Sequence, residues 1–249
     1  MGESMFEAKL KAEVLKEIVD VVSTLVDEVK FNVGKDAVVV KAVDPAHVAM
    51  VDLSLDRSAF EAYKADDGEI GVDMDKMKEI LRLAKSGDVI SMAHDEDKNR
   101  LVVSVGNTTR RMALVDTAGM SDPKVPSLNL PAKLTIRTDE LRQGIRASES
   151  ISDHIALKAS NSGFEIVSEG DTDNVSHVVP KELLEDLQVK DSVRSLFPLD
   201  YFSNMVKSIG SATTVTLSLG SDYPVKMEFK IAGGKGEVRY LLAPRIESD

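Results

Sequence analysis

The chain has 249 residues, enough for one large domain or two of about 120 residues each. Hydrophobic residues make up 43% and charged residues 29%, while aromatics are only 4% and tryptophan is absent, so Val, Ile, Leu and Met must fill the core. Cysteine is absent, which excludes disulfides and thiolate metal sites, and a net charge of −11 argues against a nucleic-acid partner unless the cations are segregated onto one face.

Met5 reads as the natural start, with Met1-Gly2-Glu3-Ser4 a scar of cloning ahead of it. Met5 to Asp20 is interleaved with charges, unlike a signal peptide, and no apolar run approaches the ~20 residues that span a bilayer. Lys9-Leu10 reads as a short strand. Val14, Leu15, Ile18, Val19, Val22, Leu25 and Val26 recur at three- and four-residue steps and predict a first helix. The β-branched runs Ala37 to Val43 and Val48 to Leu55 predict strands. Ile70-Gly71-Val72 leads into a second helix with Met77, Ile80, Leu81 and Ala84 on its apolar face and Asp73 as N-cap. Asp88 to Ala93, Leu101 to Val105 and Arg111 to Val115 predict further strands, and His94-Asp95-Glu96-Asp97 before Lys98-Asn99-Arg100 reads as a hairpin loop.

Gly119, Pro123, Pro126 and Pro131 then oppose regular structure and mark a linker over residues 118–132. Its apolar members Met120, Val125, Leu128 and Leu130 predict that it lies against a surface. Leu134-Thr135-Ile136 precedes a third helix carrying Leu141 and Ile145, introduced by Thr138 with Asp139 and Glu140 in its first turn. Strands follow at Ile155 to Ala159, Phe164 to Ser168 and Val175 to Val179. Ser195-Leu196-Phe197 then leads to a fourth helix with Phe202, Met205, Val206 and Ile209. Thr213 to Leu219, Val225 to Ile231 and Glu237 to Leu242 close the pattern, separated by Gly220-Ser221-Asp222 and Gly233-Gly234-Lys235-Gly236. The second half repeats the first. The expected class is α+β: two similar domains, residues 1–117 and 133–249, each with two helices packed on antiparallel sheets.

One helical residue is about 100° of rotation, so the residue after a core position lies on one flank. Lys16 follows Leu15, Lys78 follows Met77, Arg82 follows Leu81, Arg142 follows Leu141, Arg146 follows Ile145 and Lys207 follows Val206. Lys76 and Lys85 extend the set, and Asp20, Glu79 and Ser203 are expected to point outward as well. Polar helix faces usually carry Lys and Arg for solubility alone. The same flank on four helices of an acidic chain weakens that explanation and points to phosphate contacts that are salt-dependent and blind to sequence.

No catalytic constellation stands out. His47, His94, His154 and His177 lack the spacing of a helical metal pair, the glycine turn at Gly233 lacks phosphate-loop spacing, and no Gly-Xaa-Ser-Xaa-Gly elbow is present. The chain is therefore read as a non-enzyme without metal or cofactor. A hydrolase or transferase with a cryptic carboxylate site is the rival from another class, and only scattered acids support it.

Specific stretches resemble the proliferating cell nuclear antigen family, the archaeal and eukaryotic sliding clamps. They are Met5-Phe6-Glu7-Ala8-Lys9-Leu10, Ala42 to Val51 with its Asp-Xaa-Xaa-His-Val pattern, Gly71-Val72-Asp73-Met74 leading into Met77 to Leu81, and Tyr240-Leu241-Leu242-Ala243-Pro244-Arg245-Ile246-Glu247. The resemblance covers Met5 to Glu247 and looks archaeal. It implies the DNA clamp fold and a pseudo-six-fold homotrimeric ring around double-stranded DNA, with helices inside. Lys16, Arg82, Arg146 and Lys207 match family positions facing DNA, whereas Glu17 and Ser23 stand where relatives are often basic.

The resemblance also implies a processivity factor for DNA polymerase, opened by a clamp-loader ATPase, that docks other proteins through a short clamp-binding peptide. The peptide site under the connector would use Val43, His47, Val48, Met50, Val125, Pro126, Pro224, Leu241, Ala243 and Pro244. A tyrosine common among relatives is replaced by Leu241. The subunit joint would pair Thr109 to Leu114, including Thr109, Arg110, Arg111 and Met112, with Asp173 to Val179, including Asp173, Val175 and His177. Arg110 and Arg111 are expected to meet acids such as Asp171 and Asp173 there. The implied location is the archaeal cytoplasm beside the nucleoid, or the nucleus of a eukaryote, with no membrane role. A non-encircling scaffold of the same fold is the nearer alternative.

Overall fold

Eighteen strands and four α-helices follow one another in the computed structural model, which describes residues 5–210 and 212–246. The reading of Met1 to Ser4 and the Glu247 that closes the terminal motif lie outside the described residues. In the first half the order is β1 (Phe6–Lys11), α1 (Ala12–Ser23), β2 (Glu28–Val33), β3 (Ala37–Val43), β4 (Ala49–Asp56), β5 (Ala62–Ala65), β6 (Gly68–Asp73), α2 (Met74–Leu81), β7 (Val89–Asp95), β8 (Arg100–Val105) and β9 (Thr108–Ala113). The second half runs β10 (Ala132–Arg137), α3 (Thr138–Ser148), β11 (His154–Ser160), β12 (Gly163–Glu169), β13 (Asn174–Pro180), β14 (Asp186–Val189), β15 (Val193–Pro198), α4 (Leu199–Lys207), β16 (Thr214–Leu219), β17 (Val225–Ile231) and β18 (Gly236–Leu242).

Contacts divide the chain into two units. The first comprises Met1–Pro45, Val51–Lys124 and Lys230–Val238; the second comprises Ala46–Met50, Val125–Phe229 and Arg239–Asp249. In the first repeat the strands lie in the orders β5-β1-β7-β8-β9 and β4-β3-β2-β6. In the second the orders are β14-β10-β16-β17-β18 and β13-β12-β11-β15. Adding nine to each strand number of the first repeat gives the second. Even isolated bridges correspond: Gly71 pairs with Val115 after β9, and Leu196 pairs with Arg245 after β18.

Period-two burial builds the strands. In β1, Phe6, Ala8 and Leu10 point inward, and in the equivalent β10 so do Ala132, Leu134 and Ile136. Period-3.6 burial builds the helices. In α1, Leu15, Ile18, Val19 and Val22 are buried, and burying each such side chain contributes roughly 1.5–3 kcal/mol. The helix starts share one device. The first helical N–H donates to a loop carbonyl in each case: Ala12 to Asp88 at 2.8 Å, Met74 to Asp27 at 2.8 Å, Thr138 to Thr213 at 2.8 Å and Leu199 to Asp153 at 2.9 Å. These bonds satisfy donors that a helix leaves without an internal partner. Asp73 adds a side-chain cap to α2, accepting from Lys76 N–H at 3.1 Å. That bond, then the attraction of the Lys76 side chain, holds its carboxyl below the usual range against the opposing effect of burial.

Several expectations shift. The first helix ends at Ser23, so Leu25 and Val26 lie beyond it, their N–H groups both bonded to Val22 C=O. The second ends at Leu81, with Arg82 as its C-cap, which leaves Ala84 and Lys85 in the following loop. β2, β5 and β14 were not among the expected strands. The two cores also differ in filling. Leu10, Leu53, Met74, Ile80 and Ile90 are among the largest fully buried side chains of the first, and Leu10 and Leu53 also line an apolar cavity of about 40 Å³. Phe164, Phe197, Phe202 and Tyr240 dominate the second, where the Tyr240 hydroxyl bonds the buried Ser208 hydroxyl at 2.8 Å.

Candidate nucleic-acid interface

In the first unit, burial of Leu15 and Ile18 on α1 turns Lys16 outward, where it pairs with Asp20 one turn on. Burial of Met77 and Ile80 on α2 exposes Lys78, 3.2 Å from Asp75. Lys76 lies 3.3 Å from its capping Asp73. Arg82 is exposed, with neither an ion pair nor a side-chain hydrogen bond among the described residues. Glu17 Oε2, on α1, accepts from Ala232 N–H at 2.8 Å and so fastens the turn between β17 and β18, where Ala232 has a left-handed φ of 52°.

In the second unit, α3 buries Leu141, Gly144 and Ile145 and exposes Arg146, which is also unpaired among the described residues. Arg142 lies 3.2 Å from Asp139 and donates through Nη2 to Ile209 C=O at 2.5 Å. On α4, Lys207 reaches Glu149, the C-cap of α3, at 3.3 Å. Ser203 corrects an expectation: it is buried, 3.5 Å from the same Glu149, because it falls beside Phe202 on the apolar face.

The proposed joint residues other than Asp173 lie on strands that end a sheet order. β9 ends one order of the first unit and β13 ends one order of the second. On β9, Thr109 bonds Ser104 at 2.9 Å, Arg110 pairs with Glu79 of α2 at 2.6 Å, Arg111 is exposed and Met112 is buried. Asp173 accepts from Gly170 N–H through its carbonyl in the turn before β13. Val175 is half-buried, and His177 turns its imidazole to Glu140 of α3 at 3.1 Å, packed against Gly144. Val178 faces outward, 63% exposed, and had not been singled out although it alternates with His177.

Of the expected peptide-site residues, all but Val43 fall within the second unit. His47 is exposed with a left-handed φ of 57°, and Val48 C=O accepts from Ala243 N–H at 2.9 Å. Met50 and Leu241 are buried, whereas Val125, Pro224, Ala243 and Pro244 are half-buried and Pro126 is exposed. The tail is further held by Arg245, whose N–H donates to Leu196 C=O at 2.7 Å and whose guanidinium donates to His154 Nε2 at 2.6 Å. Val43, in the first unit, is half-buried at the end of β3.

Among the described residues, no three His, Asp or Glu side chains gather as metal ligands, and no helix is long and apolar enough to cross a membrane.

Comparison with known proteins places this arrangement. Residues 5–121 match the family model described as proliferating cell nuclear antigen, N-terminal domain, and residues 124–245 match the corresponding C-terminal domain. A DNA polymerase sliding clamp from Methanocella arvoryzae is 44% identical over 246 residues, covering 98% of this chain and all of the relative. One from Methanosarcina barkeri is 42% identical with the same coverage. The A. fulgidus PCNA, solved with the C-terminal region of FEN-1 bound, superimposes with a TM-score of 0.91 at 32% identity, over 98% of this chain and all of that one. With both halves matched and relatives this similar along nearly the whole length, the chain belongs to the proliferating cell nuclear antigen family of DNA sliding clamps.

Proposed function

We propose that three copies of the chain close into a ring around duplex DNA and tether DNA polymerase and other proteins to it, without catalysing a reaction. The observation that carries this reading is that β9 and β13 are among the strands that end a sheet order. A twice-repeated fold that leaves β9 free in one repeat and β13 free in the other offers a head-to-tail joint, and a head-to-tail joint that closes makes a ring. Thr109, Arg110, Arg111, Asp173, Val175 and His177 would lie at or beside that joint, with Met112 supporting β9 from within. Arg110 would enter it already paired with Glu79, leaving Arg111 as the cation free to meet Asp171 or Asp173.

The flank cations Lys16, Lys78, Arg82, Arg142, Arg146 and Lys207 would line the hole and contact phosphates without reading sequence. Residues 1–117 and 133–249 would be the two clamp domains and 118–132 the connector. The half-exposed apolar residues Val48, Val125, Pro224, Ala243 and Pro244, with His47, Pro126 and Val43 at the margin, suit a short peptide such as the FEN-1 C-terminal region bound by the A. fulgidus relative. Met50 and Leu241 would form the floor. A separate clamp-loader ATPase would open and close the ring, and the protein would act in the cytoplasm beside the nucleoid.

The test is topological. The native assembly is expected to have three times the subunit mass, to remain on closed circular DNA after loading, and to be lost when that circle is linearised. Primer extension with polymerase and loader should then give longer products per binding event. A monomer in solution, or equal retention on circular and linear DNA, favours the non-encircling scaffold instead.

A further inference from the structure

Four of the six flank cations already hold an acid. Lys16 is paired with Asp20, Lys78 with Asp75 at 3.2 Å, Arg142 with Asp139 at 3.2 Å and Lys207 with Glu149 at 3.3 Å. The acids arrive by different routes. Asp20 comes from one turn ahead, Asp75 and Asp139 from three residues behind, and Glu149 from the end of a neighbouring helix, 58 positions away. Arg82 and Arg146 lack such partners among the described residues, although both are exposed.

We infer that Asp20, Asp75, Asp139 and Glu149 are built-in counter-ions that compete with DNA phosphate for these cations, so that the standing grip on DNA falls to Arg82 and Arg146. This rests on the reading that the helical flanks face DNA. Exposed pairs of this kind are weak and exchange readily. A phosphate can therefore displace any of the four carboxylates, but the displaced carboxylate takes up a salt cation as the phosphate releases one. The exchange adds little to the salt dependence of binding, whereas each phosphate met by an unpaired arginine adds its full share. The cations stay available along any stretch of duplex while none of the four binds it firmly, which suits a protein that must move along DNA.

The experiment compares three variants with the wild-type protein, each first checked for native mass and thermal unfolding. A labelled duplex of random sequence is titrated from about 50 to 200 mM salt, a range over which each phosphate contact weakens binding about three- to fourfold. Neutralising the acids (D20N/D75N/D139N/E149Q) is expected to tighten binding at low salt and steepen the salt dependence by about that factor for every cation released. R82A/R146A is expected to remove most of the wild-type salt dependence, and K16A/K78A/K207A to change it little. If the tetrad is too unstable to assemble, D75N and D139N singly provide smaller steps in the same direction. The inference is overturned if neutralising the acids leaves the salt dependence at the wild-type value while R82A/R146A flattens it. If no variant moves it, the placement of the flanks against DNA fails, and the inference with it.

Discussion

β2 and β11 hold the same place in their repeats, yet one buries a charge and the other a methyl group. Lys30 stands opposite Gly71 and Ala156 opposite Leu196, the two positions whose bridges to Val115 and Arg245 also correspond. Ala156 is 2% exposed and Lys30 only 6%. Lys30 Nζ lies 3.0 Å from Glu69 and 3.4 Å from Asp122, and Asn32 Nδ2 donates to the same Asp122 at 3.0 Å. Burial works against the lysine charge, but the bonds to Glu69 and Asp122 and their negative charges outweigh it and raise its pKa above the usual value. The difference teaches what each repeat must hold. The first has to fasten the segment that follows β9, and a buried lysine gives Asp122 one fixed anchor. The second needs only a small residue between packed strands at that place.

The contrast can be broken most severely in the cores. Phe202→Ala in the second repeat should cost about 3–5 kcal/mol, and Leu53→Ala, beside the existing cavity of the first, about 2–5 kcal/mol, both read from denaturant unfolding. A loss below about 1 kcal/mol for Phe202→Ala would contradict its full burial in the second core.

Next in size is the lysine anchor. Glu69→Gln with Asp122→Asn leaves Lys30 buried without a carboxylate and should cost about 2 kcal/mol, less than for a fully enclosed pair because both acids are half-exposed. Since the folded state raises the lysine pKa, the intact anchor contributes fully below the ordinary lysine pKa of about 10.4 and is lost as pH rises through the folded value. The wild-type advantage over the double variant should therefore persist from neutral pH upward and shrink in strong alkali; shrinkage near neutral pH would exclude the mechanism.

The smallest effect concerns helix starts. α2 has a capping aspartate where α4 follows Pro198 with no side-chain cap. Asp73→Ala should cost about 1 kcal/mol. The folded state lowers the Asp73 pKa, so its contribution is present above the ordinary aspartate pKa of about 3.9 and fades as pH falls through the folded value. Thermal unfolding of wild type and variant between pH 7 and pH 2 should accordingly converge.

Much of this was legible in residue spacing. Leu15, Ile18 and Val22 disclose α1, and the outward turn of Lys16 follows from them. Asp75 and Asp139 sit three residues before their cations, so their pairing was within reach of the same reasoning. What spacing conceals is contact between distant segments. Glu149 and Lys207, Glu17 and Ala232, and Lys30 and Asp122 meet only after the strands are paired. β5 and β14 escaped because each is an edge strand of only four residues, too short for its alternation to stand out. β2 did carry Val29, Phe31 and Val33 in alternation, but the lysine between them gave no sign that it too was buried. Among the site residues, side-chain direction on the edge strands was the weakest point. Met112 and His177 alternate correctly, yet face their own unit.

The carbonyl clasps at the four helix starts bear on how such a chain can drift. Because Asp27, Asp153 and Thr213 hold Met74, Leu199 and Thr138 through main-chain oxygens, replacing their side chains leaves the clasp in place. Mutational scanning should find these loop positions permissive while the geometry around them stays fixed. Two repeats that began alike can thus lose almost all likeness in sequence and still start their helices at matching places.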